Sequence, residues 1–248
     1  YYKGLDKDIK ESKKIIVRRK MYLLPTGKSK TEIYNLSHKL WNICVVEQLA
    51  PYELDGLILT PIFEIYNPVS NKKIKFYLKE YKWKPLTHLS IDFFIKFRKN
   101  TRTLQPDKIY DNSNPDTVDS FYYICNLFVG AQIEGQKFGE EPVEFNKSIE
   151  QHYTNIPLKE GKYLRDEEGH LLKDETVVEF IYDRTRPDKF RWIPLRTRYD
   201  KTEYMKMFSQ KYGNHERVAM DIWNVMQNPV SIDDFELLGD IKTYFQYH

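Results

Sequence analysis

The chain has 248 residues, of which 41% are hydrophobic and 30% charged, a composition typical of a folded protein and unlike that of a disordered or collagen-like chain. Its apolar runs are too short to cross a bilayer and no signal-peptide core follows Tyr1, so we expect no membrane contact and no secretion. The net charge of +3 does not by itself indicate a nucleic-acid-binding protein. Residues 1–30 hold ten Lys or Arg against three Asp or Glu, which we interpret as a solvated basic segment, with an RNA or DNA contact as the alternative.

Hydrophobic periodicity predicts many strands and two helices. The first helix, Glu32 to Leu49, has apolar residues at spacings of three and four and ends before Pro51. The second is predicted over Glu216–Gln227, ahead of Pro229. Apolar residues alternate from Leu89 to Phe97, which gives the clearest strand. The other predicted strands are residues 14–24, 52–60, 74–84, 122–131, 176–182 and 190–198, and residues 100–120 are predicted to form a long loop.

The order of these elements predicts an α+β protein in two parts. A new alternating strand begins directly after the corner at residues 85–88, so we place the main boundary there. A small mixed α/β lobe would precede this corner, and a β-barrel of OB type would follow it. The large side chains of Trp192 and Trp223 are expected in the core.

The first cluster of candidate functional residues surrounds Asp55. In an extended segment Glu53 and Asp55 lie on one face, and Gly56 permits a ligand or another backbone to approach closely. Two carboxylates on one face are suitable ligands for a hard cation such as Mg²⁺. An ordinary hairpin turn at Asp55-Gly56 is an equally good interpretation of the spacing.

The second cluster is the strand that ends in Lys82-Trp83-Lys84-Pro85. Alternation places Tyr81 and Trp83 on one face, as anchors, and Lys82 and Lys84 side by side on the other. Two neighbouring ammonium groups repel each other, and a polyphosphate would remove that repulsion. The alternative is a solvated edge strand whose lysines prevent aggregation.

The third cluster lies in the last predicted strand, residues 190–198, and directly after it. Arg196 and Arg198 are two residues apart, so both guanidinium groups can converge on one phosphate ligand. The alternative is a surface strand whose arginines pair with nearby acids such as Asp183 or Asp188.

Together the three clusters resemble motifs of the covalent nucleotidyltransferase superfamily, most closely the mRNA capping guanylyltransferases. Asp55-Gly56-Leu57-Ile58 resembles the fourth motif of that family, and Lys82-Trp83-Lys84-Pro85 resembles the fifth. A third set of residues resembles the sixth motif, namely Trp192, Arg196, Arg198, Asp200 and Lys201. The stretch from Gly213-Asn214 to Asn228-Pro229-Val230 is similar to the multifunctional capping enzymes of large cytoplasmic DNA viruses.

The resemblance implies three regions. Residues 1–87 would be the C-terminal part of a nucleotidyltransferase domain, and residues 88–205 an OB-fold domain. Residues 206–248 would be a helical segment leading towards a methyltransferase domain. The nucleophile of the family is the lysine of a Lys-x-Asp-Gly motif, which this chain lacks. We therefore expect either a fragment whose nucleophile lies before Tyr1 or an inactive relative.

The resemblance also implies a mechanism, in which GMP passes from GTP to a lysine and then to the 5′-diphosphate end of RNA. Lys82 and Lys84 would contact the α-phosphate, and Asp55, helped by Glu53, would hold Mg²⁺ or Mn²⁺. Arg196, Arg198, Asp200 and Lys201 would bind the remaining phosphates. Expected partners are GTP, 5′-diphosphate RNA and an RNA polymerase or a capping-enzyme subunit, and the expected location is the host cytoplasm or the virion.

Two other functions remain open from the sequence. One is an ATP-dependent polynucleotide ligase of the same superfamily, which the Lys82-Trp83-Lys84-Pro85 and Arg-x-Asp-Lys sequences favour less than capping. The other is a non-catalytic RNA-binding or scaffold subunit that has kept the fold and lost the lysine. The nucleotide that labels the protein would distinguish them.

Overall fold

The computed structural model describes residues 22–27, 29, 31–48, 50, 53–61, 80–110, 121–136, 139–159 and 162–235. These residues divide into two compact units, one up to Leu54 together with the part from Ile232, and one from Asp55 to Ser231. The nucleotidyltransferase lobe and the domain limits at residues 87 and 205 stay predictions. None of the helices in the described ranges has the length and apolar character needed to span a membrane.

The first unit contains helix α1, Glu32–Trp41, which continues as a π-helical turn over Asn42–Val46. The predicted helix to Leu49 is therefore confirmed at its start and wrong at its end. Its last turn holds β-branched Ile43, Val45 and Val46, which fit poorly into a regular α-helix. The predicted strand over residues 14–24 lies mostly outside the described residues, and its last three residues form no strand.

The second unit begins with a small antiparallel pair of strands, β1 (Leu57–Leu59) and β2 (Tyr81–Trp83). Both are shorter than predicted, and residues 62–79 lie outside the described residues. A short 3₁₀ turn, Leu86–His88, follows at the predicted corner.

The main body of this unit is a seven-stranded antiparallel sheet. Its strands are β3 (Ser90–Phe97), β4 (Lys108–Tyr110), β5 (Phe121–Gln132), β6 (Glu140–Glu144), β7 (Tyr153–Pro157), β8 (Thr176–Tyr182) and β9 (Trp192–Thr197). The strands predicted over residues 89–97, 122–131, 176–182 and 190–198 are confirmed within two residues at each end. The predictions missed β6, β7 and β4, the last of which lies inside the supposed loop of residues 100–120.

The sheet curls so that its ends approach each other. Strand β5 pairs with β3 on one side and with β7 on the other, while β3 continues to β8 and β9. The Thr154 hydroxyl of β7 then donates to the carbonyl of Trp192 in β9 at 3.2 Å. A curled antiparallel sheet of this order is consistent with the predicted OB-type barrel.

Two helices follow β9. Helix α2, Tyr199–Phe208, was not predicted, and it is tied to β8 because the Val177 amide donates to the Thr202 hydroxyl at 2.9 Å. Helix α3, Glu216–Gln227, lies where it was predicted and buries Ala219, Trp223 and Met226. These spacings of four and three residues place one apolar stripe on the core.

Aromatic side chains dominate the core of the second unit. Phe93 is fully buried, and its ring centroid lies 5.0 Å from Phe145, 5.7 Å from Phe180 and 5.0 Å from Trp192. Trp192 in turn lies 5.6 Å from Trp223 of α3, so the expectation that both tryptophans are core residues is confirmed. One face of β3 thus supplies the centre of the core, while the other face carries buried Phe94 next to Asp92.

Replacing the central ring tests this arrangement. We expect Phe93→Ala to lower the free energy of unfolding by about 3–5 kcal/mol, because the neighbouring strands prevent the cavity from collapsing. Urea unfolding followed by tryptophan fluorescence measures the change. Phe208→Ala on the exposed side of α2 is the matched control and should change the same quantity by less than about 0.5 kcal/mol. Equal effects of the two variants would contradict the assigned core.

Candidate active site

The first part of the candidate site is the β1–β2 pair, in which Leu57 is opposite Trp83 and Ile58 is opposite Lys82. Gly56 precedes this pair, and a Cβ atom there would lie 2.1 Å from the Trp83 carbonyl oxygen. The close backbone approach expected at Gly56 is therefore confirmed. A tight hairpin turn at Asp55-Gly56 is wrong, because the strand after it pairs with residues 81–83.

This backbone contact places Asp55 beside Lys84. The Lys84 ammonium lies 2.6 Å from the Asp55 carboxylate, and the Asp55 side chain is 74% exposed. Within the described ranges, the side chain of Lys82 forms no ion pair or hydrogen bond, so its charge is open to a ligand. The two lysines of the strand thus differ, one neutralised by an acid and the other available.

The aromatic residues of β2 behave differently from each other. Trp83 is partly buried, and its indole nitrogen donates to the Val230 carbonyl oxygen at 2.8 Å. Tyr81 is 63% exposed, so the prediction that it anchors the strand is wrong. Of the three residues of β2, Trp83 is partly buried, whereas Tyr81 and Lys82 are exposed.

The carboxylates expected to hold a metal are both exposed. Glu53 belongs to the first unit and Asp55 to the second, so the expected pairing of the two stays a prediction. Within the described residues, no group of three or more His, Cys, Asp or Glu side chains is arranged to hold a metal ion. Asp55 therefore fits Mg²⁺ or Mn²⁺ only as one ligand of an ion whose other ligands are phosphate oxygens and water.

The second part of the candidate site lies at the end of β9. Glu179 of β8 is opposite Arg196, while Phe180 is opposite Pro194, so Leu195 is an extra residue in β9. This β-bulge twists the strand and fixes the direction in which Arg196 projects. Arg198 then precedes α2, and Asp200 and Lys201 lie in the first turn of that helix.

All four of these predicted phosphate-binding residues meet in one ionic cluster with Asp92 and Glu179. Arg196 donates from Nε to Glu179 at 2.7 Å. Arg198 donates from Nη1 to Asp92 at 3.1 Å and, from Nε and Nη2, to the two oxygens of Asp200 at 3.4 Å each. Lys201 donates to the same carboxylate of Asp92.

The acids that pair with the arginines are not those that the sequence indicated. Asp183 instead accepts hydrogen bonds from Thr185, and Asp188 lies 3.7 Å from Arg191. The expectation that Arg196 and Arg198 pair with Asp183 or Asp188 is therefore wrong, although the idea that acids neutralise them is correct. Asp183 and Asp188 bind residues close to them in the chain. The partners of Arg196 and Arg198 in the sheet are instead Glu179 and Asp92, which lie on other strands.

The electrostatics of the cluster follow from these contacts. Burial by itself would raise the pKa of Glu179, but hydrogen bonds from Ser90 and Arg196 and the nearby arginine charges hold that pKa below its usual value. The hydrogen bond from Arg198, more than any other contact, likewise lowers the pKa of Asp200. Both carboxylates are therefore ionised at neutral pH, and the cluster is a compact set of fixed charges.

Sequence reasoning missed Asp92 and Glu179, and it named Asn214 only as part of the resemblance to viral capping enzymes. Asn214 donates from its backbone amide to the Asp92 carbonyl at 2.8 Å and accepts the Asp92 amide on its side-chain oxygen at 2.7 Å. One sequence signal could have identified Asp92. It is an acid in the middle of the predicted strand 89–97, and an acid buried in a strand requires a cationic partner. The sequence contains no indication of which cation that is.

The structure keeps the two parts of the site separate. Across the described residues of the second unit, no hydrogen bond or ion pair joins Asp55, Lys82 or Lys84 to the ionic cluster. The predicted site residues thus form two groups, each internally connected. A ligand that spans both groups would have to supply the connection itself.

A comparison with known proteins found a relative of this chain. No family model matches the chain. A protein of Acanthamoeba polyphaga mimivirus named "Probable mRNA-capping enzyme" is 37% identical over 250 residues, which cover 98% of this chain. The chain is a relative of a viral capping enzyme. It spans 21% of the length of that mimivirus protein, so the similarity concerns one region of a much larger polypeptide.

This relationship confirms the resemblance to the capping enzymes of large DNA viruses, and the assignment of the three clusters to particular motifs stays a prediction. The matched region includes both parts of the candidate site, because it extends over nearly the whole chain. The roles assigned to Lys82, Lys84, Asp55, Glu53 and the cluster of residues 196–201 stay predictions.

The ionic cluster should make stability depend on pH. Because the pKa of Glu179 is lower in the folded chain than its ordinary value of 4.5, this group stabilises the fold above about pH 4.5, and the stabilisation is lost as the pH falls through the folded-state pKa. We expect Glu179→Gln to cost about 1–3 kcal/mol at neutral pH and progressively less below pH 4.5. Urea unfolding between about pH 7 and pH 3 measures the difference.

The control is Glu203→Gln, which changes an exposed acid of α2. It should alter the free energy of unfolding by less than about 0.5 kcal/mol at any pH. A Glu179→Gln difference that stayed constant across the whole range would contradict the electrostatic origin of the stabilisation.

Proposed function

We propose that the chain is part of an mRNA guanylyltransferase that transfers GMP from GTP, through a lysyl-GMP intermediate, to the 5′-diphosphate end of RNA. The observation that carries the proposal is the 37% identity to a mimivirus capping enzyme over 98% of this chain. No Lys-x-Asp-Gly occurs in the 248 residues, so the proposal places the nucleophilic lysine on a polypeptide longer than this chain.

The first group of residues would act at the α-phosphate. Lys82 carries a charge that no acid neutralises in the described residues, and it can stabilise negative charge as the Pα–O bond breaks. Lys84 is held by Asp55 at 2.6 Å, which fixes the direction of its ammonium group. Two cations, one fixed and one free, suit a phosphate that must be bound first and then stabilised during reaction.

The ionic cluster would act at the β- and γ-phosphates. Arg198 presents two parallel N–H groups to Asp200, and the same geometry binds a phosphate. The Asp200 side chain is 70% exposed and can move away to solvent. Arg196 and Lys201 would add two further positive charges beside the departing pyrophosphate.

A divalent ion would complete the nucleotide site. Asp55, together with oxygens of the nucleotide phosphates, would hold Mg²⁺ or Mn²⁺, and Glu53 is a further candidate ligand. When bound, the ion would neutralise part of the charge on the phosphates. The proposed partners are GTP, the RNA 5′ end and an RNA polymerase or capping-enzyme subunit, and the proposed location is the host cytoplasm or the virion.

Nucleotide labelling tests the reaction. The chain and its longer natural polypeptide are each incubated with Mg²⁺ and α-³²P GTP or ATP, denatured and separated on a gel. We expect label from GTP on the longer polypeptide only. Label from ATP would instead support the polynucleotide ligase, and no label from either nucleotide would support a non-catalytic RNA-binding subunit.

The same assay tests the role of Lys82. We expect Lys82→Ala in the longer polypeptide to reduce adduct formation by about 100- to 1,000-fold, the usual loss when one charge-stabilising donor is removed from an active site. Lys206→Ala on the exposed side of α2 is the matched control and should leave the rate unchanged. Normal adduct formation by Lys82→Ala would remove this residue from the mechanism.

A further inference from the structure

Asp92 occupies an unusual position for an acid. It lies in the middle of β3, its side chain is only 8% exposed, and its carboxylate is shared by Arg198 and Lys201. We infer that Asp92 is a positioning residue, which holds these two cations as one unit for the triphosphate of the nucleotide. The inference rests on the proposed function in naming that ligand, while the contacts themselves are independent of it.

Hydrogen bonds hold the backbone of Asp92 in place. Its amide and carbonyl groups are both bound by Asn214, at 2.7 and 2.8 Å. A Cβ atom at Gly213 would lie 2.2 Å from the Asp92 carbonyl oxygen, so only glycine allows this segment to lie against the strand. Asp92 is therefore a rigid support, held within the sheet on one side and by residues 213–214 on the other.

Arg198 has an inner and an outer acidic partner. Its Nη1 atom faces buried Asp92 at 3.1 Å, whereas its Nε and Nη2 atoms face exposed Asp200 at 3.4 Å. A phosphate can replace the outer carboxylate without disturbing the inner one. Asp92 would then keep Arg198 in place while the outer edge of the guanidinium group binds the ligand.

The fold itself requires this arrangement. Asp92 is directly opposite Glu179 on the neighbouring strand, and two like charges in that position repel each other. The Nη1 atom of Arg198 lies 3.1 Å from Asp92 and 3.8 Å from Glu179, and so bridges the two carboxylates. The position of Arg198 is thus determined by the pair of acids beneath it.

This role predicts an effect on one step of the reaction. In the first step the lysine nitrogen bonds to the α-phosphorus and loses a proton to solvent, the Pα–O bond breaks, and pyrophosphate leaves with the electron pair. In the second step an oxygen of the RNA β-phosphate bonds to the same phosphorus, the P–N bond breaks, and the lysine nitrogen regains a proton. The β- and γ-phosphates of GTP are present only in the first step, so Asp92 should matter only there.

The test is Asp92→Asn in the longer natural polypeptide, with the two steps measured separately. We expect adduct formation from GTP to slow by about 10- to 100-fold, the usual loss for a residue that orients a ligand-binding group. Transfer of GMP from purified adduct to 5′-diphosphate RNA should remain unchanged. An equal loss in both steps, or no loss in either, would overturn the inference.

Two further variants protect the test from folding defects. Asp174→Asn removes a carboxylate that accepts the amide of Phe97 at the other end of β3 and pairs with Lys99 at 2.7 Å, so it should leave the ratio of the two steps unchanged. Asn214→Ala removes the side-chain acceptor of the Asp92 amide without changing any charge, and it keeps the backbone hydrogen bond to the Asp92 carbonyl. This variant should also slow adduct formation, by a smaller factor, and leave the transfer of GMP to RNA unchanged. It is the variant to use if Asp92→Asn does not fold.

Direct binding of inorganic tripolyphosphate separates this inference from the proposed function. If the wild-type polypeptide forms no adduct, the proposed function fails, and calorimetry with tripolyphosphate then decides the role of Asp92. Removing a negative charge would by itself strengthen anion binding. Loss of positioning would weaken it, so weaker binding by Asp92→Asn supports the inference, and equal or tighter binding overturns it.

Discussion

The second unit depends on one electrostatic constraint, the placement of Asp92 directly opposite Glu179 on neighbouring strands. Two carboxylates in that position destabilise a sheet unless cations lie against them. Arg196, Arg198 and Lys201 supply those cations from the end of β9 and the start of α2. The sheet, the β-bulge in β9 and helix α2 together place the three cations next to the two carboxylates.

Such a cluster can be both structural and functional. Its inner contacts are partly buried and therefore weakly screened by solvent, whereas its outer contact, between Arg198 and Asp200, is exposed. The β1–β2 pair shows the same division, since Asp55 holds Lys84 and Lys82 remains available. In the ionic cluster the exposed contact is that of Arg198 with Asp200, and in the β1–β2 pair it is Lys82 that has no ion pair among the described residues. This shared design is what the proposed nucleotidyl transfer would use.

Sequence reasoning predicted β3, β5, β8 and β9 of the curled sheet, because period-two alternation and buried aromatic residues are local signals, but it missed β4, β6 and β7. It also identified all the cations of the candidate site. It failed for α2, whose sequence from Tyr199 to Phe208 leaves Met207 and Phe208 exposed and so lacks a clear apolar stripe. It failed for the acidic partners too. Asp92 lies 106 residues before Arg198 and Glu179 lies 17 residues before Arg196, and only the folded sheet brings these pairs together.

The sequence by itself therefore determined the mixed α and β composition, the positions of most strands and the resemblance to capping enzymes, the last of which the mimivirus relative confirmed. These properties follow from local alternation and from the residue types in short motifs. Only the tertiary structure decided which charges meet, because strand pairing brings Asp92 and Glu179 to Arg198, while Asn214 and the close contact at Gly213 hold the backbone of Asp92. Ion pairs form between residues that are close in space, and spacing along the chain does not encode that distance.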